Sequence, residues 1–190
     1  ESFKDAGEPE KKKIKSSFAR ILHIHQLKKV VTASMEASEP QIYEELTYGS
    51  LDTRESLLKV LYPKFADESV PLAKYIISNE QEDVRLRSLS VEILRRLNCN
   101  KALLEIYNDS SRELKLVSSV ALVRNRIFFP VPTLLEALDV GGEGNFKIRA
   151  LAAGVLRDST RQNFGFKAEG TPEARAKALD KWRQWWEENT

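Results

Sequence analysis

Apolar positions recur along the chain at helical spacing. They begin with Ile14, Phe18, Ile21, Leu22, Leu27, Val30, Val31 and Met35. Steps of three, four and five keep these side chains on one face. The pattern predicts a long helix over about residues 10–37, bent near His23 and His25. Residues 1–9 are polar and carry Gly7 and Pro9, so they read as a mobile arm. Ser38 and Pro40 stop the first helix and start the next. Beyond them, "PQIYEELTY", "DTRESLLKVLYPKF", "SVPLAKYIISN", "EDVRLRSLSVEILRRL", "NKALLEIYN", "SRELKLVSSVALVRNR", "VPTLLEAL", "FKIRALAAGVLRD" and "TPEARAKALDKWRQWWEEN" each read as one helix. Asp52 is the expected N-cap of the second. No two alternating runs are joined by Asn-Gly or Asp-Gly, so β structure is expected to be nearly nil.

Four of these segments fit one template. An anchor is followed by a basic residue at +1, small or apolar residues at +4 and +5, and an apolar residue at +8. The copies are Thr53, Arg54, Leu57, Leu58, Leu61; Leu86, Arg87, Ser90, Val91, Leu94; Leu114, Lys115, Ser118, Ser119, Leu122; and Ile148, Arg149, Ala152, Ala153, Leu156. Successive anchors are 33, 28 and 34 residues apart. A period near 30 built from two helices is the mark of a stacked repeat, in which each unit hides its apolar stripe against the next. Small residues at +4 and +5 let helix axes approach. Ala152, Ala153 and Gly154 are therefore expected at the tightest contact, and Ala153→Leu should overpack it by about 1–3 kcal/mol. Gly154 has a second possible use, close approach of a partner.

The segments "TRESLLKVL", "LRSLSVEIL", "LKLVSSVAL" and "IRALAAGVL" resemble the HEAT and HEAT-like (PBS lyase-type) repeat family over about residues 41–157. Thr53 departs from the family's apolar anchor, and the third repeat is short. The C-terminal "NFGF" followed by "TPEARAKALDKWRQWW" resembles the end of bacterial HEAT-repeat proteins of unassigned activity, many of them exported. The resemblance implies an all-α fold: a right-handed α-α superhelix, an armadillo-like solenoid of about four helical hairpins with terminal capping helices. One domain is expected over residues 10–190. It would comprise the N-terminal helix (10–37), the repeats (41–158), and a loop with a Trp-rich capping helix (159–190). The resemblance also implies that Arg54, Arg87, Lys115 and Arg149 bridge acidic turns along the stack.

Composition adds limits. Hydrophobic residues make up 42% of the 190 and charged residues 31%, which suits a folded domain. The net charge of +2 gives no overall pull toward nucleic acid, so any basic patch must be local. A single cysteine, Cys99, excludes an intrachain disulfide. No apolar run approaches the roughly 18–20 residues of a membrane span. The sequence opens at Glu1, which fits a processed or trimmed form. Two compartments stay open: extracytoplasmic in bacteria if an upstream signal was removed, cytoplasmic otherwise.

The second helix of each repeat is expected to line the inner surface, leaving +2, +6 and +9 open. That selects Lys59, Tyr62, Glu92, Arg95, Leu116, Val120, Val123 and Arg157 as partner-binding candidates. Leu116, Val120 and Val123 read either as the floor of an apolar groove or as core of a tight superhelix. Basic residues end the repeat helices at Lys64, Arg96, Arg124, Arg126 and Arg161. Either they complement helix dipoles or they form a rim for phosphate or an acidic partner. Trp182, Trp185 and Trp186 share one face, as a cap or as an exposed aromatic groove. Phe164 and Phe166 are expected beneath them, and Phe128 and Phe129 in the inter-repeat core.

Catalytic constellations do not emerge. His23 and His25 point apart on a helix and lack partners at metal spacing. "VGGEGNF" lacks the Lys-Ser/Thr of a phosphate-binding loop and follows a helix. No cofactor or metal is expected. The function expected is a non-enzymatic protein-binding module or scaffold. The alternative is nucleic-acid or phosphate binding through the basic rim, as in HEAT-like DNA glycosylases. An enzyme like the phycobilin lyases would need a convergent polar site, which the sequence does not display.

Overall fold

In the computed structural model, residues 45–190 are described, apart from 47, 65, 110 and 111. The expected N-terminal arm, the helix over 10–37 with His23 and His25, and most of "PQIYEELTY" lie outside the described residues. The remainder is all-helical, with no strand among the described residues. Eight α-helices follow residues 45–48. They are α1 (Leu51–Leu61), α2 (Ala66–Ser78), α3 (Val84–Arg96), α4 (Asn100–Asp109), α5 (Arg112–Arg124), α6 (Val131–Asp139), α7 (Phe146–Thr160) and α8 (Pro172–Glu188). A single 3-10 turn, Glu143–Asn145, leads into α7. None of these helices is long and apolar enough to cross a membrane. The described residues fall into two compact units, divided after Leu97.

In the first unit, α2 packs on α3, and α1 also touches α3. The cap of α1 is Ser50, not the expected Asp52: the Ser50 hydroxyl accepts from the Thr53 amide at 3.1 Å. Asp52 instead lies in the first turn, where its charge still suits the positive end of the helix dipole. Asp83 caps α3 by accepting from the Arg85 amide at 2.8 Å. Helix α2 begins at Ala66, earlier than expected, and carries Pro71 inside it. Leu57, Leu58 and Leu61 of α1 and Leu86, Val91, Ile93 and Leu94 of α3 are buried, so the template positions do form the core face.

The second unit is built around α6, which contacts α5, α7 and α8. Five of its nine residues are buried apolar side chains, the pattern of a helix enclosed by others. One cluster joins Val120, Val123, Leu134, Leu138, Ala152, Val155, Leu156, Leu179 and Trp182. Helix α7 is capped by Arg161, whose left-handed backbone (φ 61°) lets its amide bond the Arg157 carbonyl at 2.8 Å. Thr171 caps α8, with Pro172 at the first helical position.

Trp182 is buried, and Trp185 and Trp186 are half-buried against the same cluster. Phe164 stands edge-on to Trp182 at 4.8 Å between ring centroids. This end of the second unit is therefore packed core, not an open aromatic groove. Phe128 packs on the cluster as expected. Phe129 does not: it is 48% exposed, held edge-on to Tyr107 at 5.2 Å.

Candidate functional site

The three arginines at the +1 positions share a job. Arg54 Nε donates to the Leu46 carbonyl at 2.8 Å, and Arg87 Nε to the Ile77 carbonyl at 3.1 Å. Arg149 Nη1 donates to the Val140 and Gly142 carbonyls at 2.8 and 2.9 Å. Each guanidinium satisfies carbonyls near the end of the preceding helix, where four have no intrahelical partner. Arg54 also makes a forked pair with Glu82, 28 residues on, in the turn before α3. The expected bridge to an acidic turn is thus present for Arg54. Arg87 and Arg149 bond carbonyls instead. Lys115 rests over the Tyr107 ring, 5.1 Å from its centroid.

The small +4 and +5 residues Ser90, Ser118, Ser119 and Ala152 are buried, but Ala153, expected at the tightest contact, is only half-buried. Ser118 and Ser119 are fully buried, and their hydroxyls donate to the Leu114 and Lys115 carbonyls of their own helix. The Ser90 hydroxyl is buried with no partner among the described residues. Ala152 is fully buried. Gly154 departs from expectation: a Cβ built there meets nothing within 4 Å. No close helix contact requires this glycine.

Four of the residues selected from the sequence come together in the first unit. Glu92 accepts from Arg95 Nε at 2.7 Å and from Arg96 Nε at 2.8 Å. Arg96 Nη1 donates to the Tyr62 hydroxyl at 2.8 Å, and its guanidinium lies 5.9 Å from the Tyr62 ring centroid. Spacings of three and four place both arginines on the Glu92 side of α3. Contact between α1 and α3 brings in Tyr62. The hydrogen bond from Arg95, then that from Arg96, holds the Glu92 carboxyl down to about 2. Both guanidinium pKa values are raised, chiefly by the same carboxylate. Arg96, selected as a rim residue, is thus joined to Tyr62 and Glu92, selected as inner ones.

A second ion-pair group lies on the same two helices. Lys59 and Arg85 each reach Glu55 at 2.5 Å, and Arg85 also reaches Asp52 at 3.4 Å. Arg85 was not selected from the sequence. Its signal was the spacing of 30 residues from Glu55, about one repeat, which sets the two side by side.

Of the remaining candidates, Val120 and Val123 are only 7% and 0% exposed, and Leu116 packs against the same cluster. They are core and not a groove floor, because α6 and α7 cover that face of α5. Arg157 is exposed beside Asp158 at 3.5 Å. Lys64, Arg124, Arg126 and Arg161 are exposed. Arg126 Nη1 bonds the Ser159 carbonyl, tying the end of α5 to the last turn of α7. Among the described residues, no group of His, Cys, Asp and Glu could hold a metal ion. No family model, no curated protein and no solved structure matches the chain.

Proposed function

We propose that this chain is a HEAT-like helical-repeat scaffold that binds another protein and catalyses no reaction. The site proposed is the Tyr62–Glu92–Arg95–Arg96 cluster. The observation that carries this reading is one carboxylate holding two guanidiniums beside a half-buried tyrosine ring. Tyrosine and arginine are the side chains that most often dominate binding energy at protein interfaces. Fixing them before contact removes part of the side-chain ordering cost, about 0.5–1.5 kcal/mol for each one held. The solenoid form is supported by packing between second helices of successive hairpins, α1 with α3 and α5 with α7.

The alternative is phosphate or nucleic-acid binding through Lys64, Arg96, Arg124, Arg126 and Arg161. What favours it is that Lys64, Arg124 and Arg161 are exposed with no carboxylate partner among the described residues. Arg96, by contrast, is already engaged by Glu92.

A nuclease-treated, cross-linked pull-down comparing wild type with Tyr62→Ala and Arg96→Ala separates the two. A protein captured directly by wild type and lost from both variants supports the cluster. Capture that ignores both substitutions sinks it. Binding that vanishes with nuclease, and falls steeply with salt in vitro, turns the assignment to the rim.

A further inference from the structure

The loops that precede α7 and α8 enclose a half-open cleft of about 440 Å³. The chain leaves α6 and turns at Gly142, where φ is +87°, a value glycine adopts readily. It then enters α7 through Phe146, and Arg149 follows within the first turn. The other wall is the 168–172 segment, which leads through Gly170 and Thr171 into α8.

Arg149 joins these walls. Its Nη1 holds the Val140 and Gly142 carbonyls on one side, and its Nε holds the Ala168 carbonyl on the other at 3.0 Å. Arg175, from the first turn of α8, donates Nη1 to the Gly170 carbonyl at 2.6 Å. Both arginines line the cleft. Arg149 Nη2, and Arg175 Nε and Nη2, bond no described residue.

The charge balance is what makes the cleft more than a structural tie. Arg149 is 2% exposed, yet every group it bonds is a neutral carbonyl. Neither arginine forms an ion pair with a described residue, although the exposed Glu173 carboxylate two residues before Arg175 feels its charge. Carbonyl dipoles stabilise a guanidinium but leave its unit charge uncancelled, and a buried uncancelled charge is costly. The acid in the lining is Glu169, an exposed side chain outside these bonds. The lining carries two cations, one carboxylate, the exposed Phe146 ring and Pro172.

We infer that this cleft binds a small organic anion. The carboxylate or phosphate of that ligand lies between the guanidiniums of Arg149 and Arg175, and its apolar body lies against Phe146. The Nε–Nη2 fork of Arg175 matches the paired oxygens of either group, and Arg149 adds its remaining Nη2 donors. The cleft volume falls in the range of about 300–1,000 Å³ typical of small-molecule sites. This assignment is independent of any protein partner at Tyr62 and Arg96.

Isothermal titration of the full chain with benzoate, phenyl phosphate and the neutral benzyl alcohol tests it. At least one anionic probe should bind and benzyl alcohol should not; which anion binds tells carboxylate from phosphate. Arg175→Gln should weaken that binding about tenfold or more, as expected for loss of a charged fork. Glu169→Gln, at an exposed position that leaves the fold undisturbed, should tighten it about threefold by removing a like charge. Arg157→Gln, outside the cleft, should leave it unchanged. The inference is overturned if neither anion binds, if benzyl alcohol binds as well as they do, or if Glu169→Gln and a folded Arg175→Gln both match wild type.

Discussion

Gly154 is the sharpest point at which packing can be tested by adding an atom. It sits in the interior of α7, where glycine costs about 1 kcal/mol relative to alanine. A cost of that size suggests a compensating need for close contact, as the neighbouring Ala152 and Ala153 first imply. The structure gives no such need. A methyl group at position 154 has open space to 4 Å, and the backbone there is ordinary helix. Gly154→Ala should therefore stabilise the protein by about 0.5–1 kcal/mol, mostly by restricting the unfolded chain. Trp182, Trp185 and Trp186 all lie in α8, in the same unit, so their fluorescence during urea unfolding reports on this region. The expected result is a higher midpoint at unchanged slope. A lower midpoint would refute the reasoning, since destabilisation by one methyl requires a neighbour close to that position.

Three further outcomes follow from the same geometry. Arg149→Ala removes a buried cation from three carbonyls and should cost about 3 kcal/mol, read as a lower urea midpoint by tryptophan fluorescence. Ser90→Ala removes a buried hydroxyl that has no partner among the described residues, so thermal melting by circular dichroism should show a gain of about 1 kcal/mol. The Glu92 carboxyl is held below its usual 4.5, at about 2, so its contribution is complete above about pH 5 and fades as pH falls toward about 2. With its side chain still 30% exposed, solvent screening leaves that contribution near 1 kcal/mol. Glu92→Gln should accordingly be less stable than wild type near neutral pH, with the difference shrinking through about pH 2 and gone only below it, in urea melts followed by circular dichroism. A difference that persists at low pH would mean that something other than charge at Glu92 is responsible.

The helices and their buried faces were legible in the sequence by itself. Periodicity at three and four residues located α1 to α8, and the template named core residues such as Leu86, Leu94, Ala152 and Leu156. These are local properties: a helix's apolar stripe must be hidden whatever covers it. The choice of Tyr62, Glu92 and Arg95 came from the repeat template, whose +6 and +9 positions lie off the buried stripe. Which face is covered, and by what, was decided only in three dimensions. Val120 and Val123 sit at positions expected to be open, but α6 and α7 close over α5 there. A Cβ at Gly154 would meet nothing within 4 Å, and Phe129 is about half exposed with only the Tyr107 edge against it, facts no spacing along the chain records. The pairing of Arg149 with carbonyls from both loops, and the cleft shared with Arg175, depend on segments 19 and more residues apart in sequence. Periodicity dictates what must be buried, while long-range packing dictates which neighbour buries it and which charges are left facing a cleft.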